Sequence, residues 1–333
     1  MKYLRKFTYA LVEVIASFVV LGSFLSLLTN TESRYLKMLD FPRIQFFIAA
    51  IVCLILCWLL TKKWQKHDTV IAVFLAVSII IQSTYLINYT PLVSREVPDS
   101  SAQPKEEDLF SLLITNVKMS NRNAQPLLDI IEKKDPDILL TMEVDKWWDN
   151  ALKTIEKKYP FTKESINEVT YGMTLYSKME LKNIEELNLN HEKIPTFLCT
   201  VTLANGKDIQ LMTLHPPPPT YFQELPDNES KEEKTMILAG QKVVETKLPI
   251  VLAGDFNDVA WSKTNEMTKA NGELNDVRVG RGFYNSFHAD IFLMRWPLDH
   301  VFVTKEFKLH KLERLPKIDS DHFPIYVELE LKN

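Results

Sequence analysis

Cysteine is scarce: three residues in a chain of 333. Cys53 and Cys57 share one apolar stretch and Cys199 stands alone, so neither a disulfide-stapled framework nor a zinc site with paired cysteine spacing can be read from them. That scarcity fits a reducing compartment and also a bacterial periplasm. Internal repeats are lacking too, which removes solenoid and propeller architectures. An excess of positive charge is also missing. The part of the chain beyond residue 104 carries 29 basic and 37 acidic residues. A domain of that balance is poorly suited to gripping long nucleic acid through its phosphates, because such affinity comes from Lys and Arg displacing counterions. Local basic patches remain open.

Long apolar runs dominate the first 90 residues. They cover Tyr9–Leu28, Ile44–Leu60 and Val70–Ile87. The first has the roughly 20-residue length that a bilayer core demands, and the other two are shorter but almost purely apolar. A cleaved leader is the competing reading of the first, since Lys2, Arg5 and Lys6 precede it. Two further runs behind it favour a membrane-spanning region over residues 1–89. Lys2, Arg5 and Lys6 before the first run and Lys62, Lys63 and Lys66 after the second outnumber Arg34, Lys37 and Arg43 in the loop between them. That bias puts the N-terminus inside and the C-terminal part on the extracytoplasmic side. Glu13 is the one clearly internal ionisable group, so a proton or ion path through these helices has little support. Residues 90–108, rich in Pro, Ser and charge, read as a linker.

Residues 109–333 read as a globular domain large enough for its own core. Strand-like runs recur at Phe110–Val117, Ile138–Glu143, Met173–Ser177, Phe197–Leu203, Ile209–Leu214, Ile250–Asp255, His300–Thr304 and Ile325–Leu331. Helical patterns fall at Ala124–Lys134, Lys146–Lys158 and Lys231–Thr246. Several strands follow one another without a helix, which predicts a layered α/β domain with mixed sheets. Polar residues cluster at strand ends: Asn116, Glu143, His215, Asp255, Asn257, Asp299, Asp321 and His322. Strand ends converge on one rim, so residues distant in sequence can meet there.

Five segments carry a resemblance: ITNV at Ile114–Val117, ILLTMEV at Ile138–Val144, GDFN at Gly254–Asn257, LDHVFV at Leu298–Val303 and SDH at Ser320–His322. In this order they resemble the motifs of the endonuclease/exonuclease/phosphatase superfamily, over essentially the whole domain. The superfamily includes DNase I-like nucleases, inositol polyphosphate 5-phosphatases and neutral sphingomyelinases. The resemblance implies a four-layer α/β/β/α sandwich and metal-dependent hydrolysis of a phosphate ester. Three spans ahead of such a domain resemble a membrane-anchored bacterial branch, with the protein integral to the inner membrane.

On that resemblance Glu143 is the metal ligand, assisted by Asn116 and with Asp321 as a second carboxylate nearby. The ion implied is Mg²⁺, with Mn²⁺ as a substitute, since Mg²⁺ takes one or two carboxylates and keeps several waters. Asp255 orients or deprotonates the attacking water. Asn257, two residues on and facing the same way in an extended segment, donates to a phosphoryl oxygen. His322 is the acid/base or phosphate-binding group, with Asp299 fixing its tautomer. His215 matches the other family histidine. His300 stands where many members carry an aromatic residue and reads as packing, and Ser177 in YGMTLYSK reads as structural. Val117-Lys118-Met119 after Asn116 and Val144-Asp145 after Glu143 depart from the abasic-site nucleases, which weakens that reading.

The substrate is open between nucleic acid and phospholipid, with the lipid bilayer itself as a partner. Four prolines at Pro216–Pro219 make a stiff lead off His215, either walling a pocket or forming a surface connection. Trp261, Tyr284, Phe287 and Trp296 are candidates for an apolar rim, although aromatics in such numbers are more often core. The alternative from another class is a catalytically inactive, membrane-tethered binding module.

Overall fold

The computed structural model describes residues 2–28, 33–189, 191–218, 231–263 and 270–332. The chain divides into two compact units. Unit 1 is Met1–Val93 with Trp261–Lys263, and unit 2 is Ser94–Ala260 with Thr264–Asn333.

Unit 1 contains α1 (Lys2–Leu25), the short α2 (Arg34–Lys37), α3 (Arg43–Leu60) and α4 (Lys66–Leu86). Three stretches are long and apolar enough to cross a membrane: Tyr3–Leu25, Arg43–Leu60 and Lys66–Tyr89. Val12, Ala16, Val19, Ala50, Cys53, Cys57 and Leu75 pack together between the helices. Many other apolar side chains, such as Phe18, Trp58 and Ile80, point outward. That is the inverse of a water-soluble bundle, which would hide its large apolar side chains. Arg43 at the start of α3 is fully buried and satisfied, donating to Asp40, the Ser26 carbonyl and Gln82.

Unit 2 runs β1 (Leu109–Asn116), α5 (Gln125–Lys134), β2 (Ile138–Met142), α6 (Lys146–Leu152), β3 (Phe161–Ser165), β4 (Met173–Ser177), β5 (Leu181–Leu187), β6 (Thr196–Thr202) and β7 (Asp208–Leu214). It continues with α7 (Lys231–Glu245), β8 (Ile250–Asp255), β9 (Asn275–Asp276), β10 (Asp299–Val303), β11 (Phe307–Arg314) and β12 (Ile325–Leu331). Two six-stranded sheets result, ordered β11-β12-β1-β2-β4-β3 and β5-β6-β7-β8-β10-β9. Each has one parallel pair, β1 with β2 and β7 with β8.

The period-two alternation of strands sorts the core into layers. Leu112, Ile114, Leu140 and Leu175 of the first sheet meet Cys199, Leu211, Val251 and Val301 of the second. The intervening residues Leu113 and Leu139 face outward onto Leu127 and Ile131 of α5 and Trp148 of α6. Leu252 and Phe302 face outward from the second sheet onto Met236, Ala239 and Val243 of α7. The order is therefore helices, sheet, sheet, helix. Burial on both faces explains why the central strands read as unbroken apolar runs.

Strands β3, β5 and β11 had no counterpart among the sequence expectations. All three are edge strands, with charged residues such as Lys163, Glu185 and Lys311 where alternation would otherwise show. Charged edges discourage pairing with foreign strands and also erase the strand signal. The helical pattern over Lys146–Lys158 is shorter in fact: α6 stops at Leu152 and a 3₁₀ turn, Lys153–Ile155, follows. Part of the stretch read as a linker is built into unit 2. Val97 lies in its core, and Ser100 N donates to the Leu309 carbonyl. A fragment of unit 2 therefore has to begin near Ser94.

Candidate active site

The loops leaving the C-terminal ends of β1, β2, β7 and β8 bring the candidate residues to one rim. Parallel pairing sets Asn116 beside Met142, and so next to Glu143, and sets Leu214 beside Gly254. The β8–β10 ladder places Asp299 opposite Asp255. Gly254 is what lets β8 turn into the site. Its φ is +151°, and a Cβ there would sit 1.9 Å from the Leu214 carbonyl oxygen. Gly254→Ala therefore has to push β7 and β8 apart at Asp255. It is expected to cost ~1–3 kcal/mol, read as a lowered unfolding midpoint.

Asn116 is the hub. Its Nδ2 donates to Glu143 Oε1 (2.8 Å) and to Asp255 Oδ2 (3.0 Å). Its Oδ1 accepts from Lys118 N (2.9 Å). Glu143 Oε2 accepts from Met119 N (3.0 Å). Glu143 (φ +61°) and Asn257 (φ +54°) both occupy the left-handed region. Asn tolerates that region, whereas for Glu it is strained. Residues held this way concentrate at functional sites.

Asp255 is fully buried. Its Oδ1 accepts from Asn257 N (2.9 Å). Its Oδ2 faces His322 Nε2 at 3.4 Å and His215 Nε2 at 3.8 Å. His322 Nδ1 in turn meets Asp299 Oδ2 at 2.8 Å. The Ser320 hydroxyl anchors this arrangement, donating to the Asn116 carbonyl (2.8 Å) and accepting from His322 N (3.0 Å). Asp321 pairs with Lys118 at 3.2 Å.

Two histidines of similar burial titrate in opposite directions. Burial pulls His322 down, but Asp255 and Asp299 overcome it and hold the imidazolium up to about 10. Burial pushes His215 down to about 4, with only Asp255 opposing. At neutral pH His322 is a cation and His215 is neutral. Burial also raises Glu143 and Asp255 above the usual carboxylate range.

The donor chemistry fits a divalent cation. Among the described residues, Glu143, Asp255, Asp299 and Asp321 face two cations, His322 and Lys118, and the hydrogen bonds to Glu143 come from neutral donors. A 2+ ion beside Glu143 supplies the missing positive charge. Asp255, Asp299 and His322 also lie close enough to share an ion. There, however, both ring nitrogens of a protonated His322 face carboxylates, leaving no lone pair for a metal.

Every candidate site residue reaches this rim. The expected role for Asn257 is modified, because its Nδ2 donates to the Pro216 carbonyl (2.9 Å), which ties the loop after β8 to the loop after β7. The four-proline lead continues into residues 219–230, outside the described residues. Among the aromatic candidates, Phe287 stacks on Trp296 and lies 5.0 Å from His322, ring to ring. Trp261 groups with unit 1.

His300 does more than pack. It stacks on Phe256 at 4.7 Å. Arg278 donates to its Nδ1 (2.5 Å) while Nε2 meets the Asp258 carbonyl (2.9 Å). Two groups in the site had no role assigned from sequence. Tyr171, in the family-like segment YGMTLYSK, has its ring 5.3 Å from His215, and its buried hydroxyl has no hydrogen-bond partner among the described residues. Lys118 reads in sequence only as a departure from a motif.

A rim of strand-end carboxylates, two histidines and amides over two packed sheets defines a phosphoesterase fold and site. Residues 114–322 match the Endonuclease/Exonuclease/phosphatase family. The chain belongs to that family, whose members are phosphoester hydrolases and generally use a divalent metal. A search of curated proteins finds no match. Solved structures share the fold. TDP2 of D. rerio, complexed with a single-strand DNA product, has a TM-score of 0.56 at 18% identity over 67% of this chain and 99% of that one. The human Nocturnin catalytic domain with bound sulfate gives 0.54 at 15%, over 70% and 100%. A Bacteroides thetaiotaomicron mannosyl-6-phosphatase gives 0.50 at 17%, over 66% and 99%.

Proposed function

We propose that this chain is a membrane-anchored, Mg²⁺-dependent phosphoesterase, with the spanning helices in unit 1 and the chemistry at the rim of unit 2. One observation carries the reading: Asn116 bridges Glu143 and Asp255 while His322 is held cationic between Asp255 and Asp299. That arrangement separates a metal-holding carboxylate from a proton-accepting one within a single buried network.

Glu143, assisted by Asn116 and Asp321, would hold the ion, which supplies charge neutralisation at the phosphoryl oxygens. Asp255 accepts a proton from the attacking water as its oxygen bonds to phosphorus. His322 presents positive charge beside the phosphoryl oxygens as negative charge builds on them. Neutral His215 donates one N–H, and the second amide hydrogen of Asn257 donates another. The P–O ester bond breaks and the leaving oxygen takes a proton from solvent water. With three spans, the N-terminus and unit 2 lie on opposite sides of the bilayer. The Lys/Arg bias supports unit 2 lying outside a bacterial inner membrane.

The full chain in detergent is tested against plasmid DNA, single-stranded DNA, a chromogenic phosphodiester and phospholipid vesicles, with and without EDTA. Hydrolysis of one class that EDTA abolishes supports the reading. A folded chain inert toward all four points to the inactive binding module. Mg²⁺ also acts on stability. At a hundredfold excess over its Kd it adds about 2.7 kcal/mol, a rise of ~5–10 °C in Tm for a domain of this size. Glu143→Gln is expected to lose most of that rise in a thermal melt.

A further inference from the structure

Among the described residues, unit 2 buries most of its large apolar side chains, with one concentrated exception. Ile291, Phe292, Leu293 and Met294 are consecutive and exposed, Phe292 and Leu293 by 76% and 75%. A run of this kind on an otherwise well-buried domain marks an interaction site.

The run forms the tip of a small hairpin. Phe287 and Trp296 pair antiparallel, His288 N donates to the Met294 carbonyl, and Met294 N closes the turn onto Ile291. The hairpin is stitched to the segment carrying His322. Ala289 N donates to the Asp321 carbonyl (2.7 Å), Phe323 N donates to the Ser286 carbonyl (2.7 Å), and Phe287 bridges to His322. Phe292 is five positions on from Phe287, so the tip lies within ~17 Å of the ring that touches His322.

Basic groups collar the base of the tip. Arg295 lies over the Phe292 and Phe323 rings, Arg314 lies over Phe323, and Lys317 pairs with Asp290. Three cations against one acid, below an apolar tip, match an interface with acyl chains above and anionic headgroups at its rim.

The geometry points to a lipid-contacting hairpin: Ile291–Met294 enters the headgroup and upper acyl region of a bilayer, and so presents the His322 side of the active site to phosphate esters at the membrane surface. This rests on the membrane-anchored reading, because only a few residues connect the last apolar helix, ending at Tyr89, to Ser94. Fully extended, a link of that length spans ~20 Å of chain. The short chain link to the apolar helices is what favours a bilayer over a protein partner.

The test uses the full chain, one copy per nanodisc of phosphatidylcholine and phosphatidylglycerol. Leu293→Cys carries an environment-sensitive fluorophore, and Glu185→Cys on exposed β5 is the control. The native cysteines 53, 57 and 199 are all buried. The label at position 293 is expected to be quenched severalfold more by doxyl lipids than the label at 185, and to be shielded from aqueous iodide. Adding Phe292→Asp and Met294→Asp should abolish that difference while hydrolysis of a soluble phosphodiester persists. A label at 293 open to iodide in a chain that has entered the nanodisc overturns the hairpin contact alone. Shielding from iodide without doxyl quenching also overturns it, in favour of a protein contact. A chain that does not enter the nanodisc overturns this inference together with the membrane-spanning reading.

Discussion

Asp255→Asn lowers kcat on any phosphoester substrate by about 10²–10⁴-fold, the range a positioned general base contributes. The amide keeps the shape of the side chain and its contact with Asn257 N but cannot accept the proton of an attacking water. Its burial makes the prediction sharp, because the neighbouring carboxylates already have partners, Asp321 with Lys118 among them. Glu143 is pinned by Asn116 and Met119, and Asp299 is pinned by His322. KM is expected to change little. A variant within tenfold of the wild-type rate, with the same unfolding curve, would remove Asp255 from the chemistry.

Asp299→Asn acts through His322 and reads out as a shifted pH profile. In the wild type the Asp255 and Asp299 carboxylates hold His322 charged up to about 10 against its burial. Rates should therefore fall at the alkaline end as that proton is lost. They should fall at the acid end as Asp255 and Glu143, both raised by burial, take up protons. Removing one carboxylate from His322 moves the alkaline limb down by ~1–3 pH units. The stability sign agrees. A histidine whose folded pKa exceeds its unfolded value stabilises the fold fully below about 6.5, and loses that contribution as pH rises through the folded value. Asp299→Asn should flatten the loss of stability in the alkaline range. The check is kcat/KM against pH for both proteins, and an unmoved alkaline limb would show that His322 does not depend on Asp299.

Much of this site was legible before any coordinates. Strand ends in a sandwich converge, and each of the eight candidate residues sits at or just past one. Gly254 and Ser320 were visible as parts of motifs, but their work is spatial: one admits the Leu214 carbonyl, and the other joins the Asn116 backbone to His322. The central strands announced themselves because both faces are buried. Edge strands β3, β5 and β11 did not, because their charged residues answer to solvent. The opposite titrations of His215 and His322 were also beyond sequence, since they depend on which histidine has two carboxylates beside it. The apolar hairpin tip drew no reading from the sequence, and its exposure is what marks it out.

The central claim is one buried site that needs a divalent ion at Glu143 to hydrolyse a phosphate ester. Titrating Mg²⁺ back into the EDTA-treated full chain, while following hydrolysis of a chromogenic phosphodiester, tests it most directly. The account predicts saturable recovery in the wild type and little or none for Glu143→Gln at the same concentrations. Hydrolysis that survives EDTA undiminished, or a Glu143→Gln variant that recovers along the wild-type curve, would contradict it.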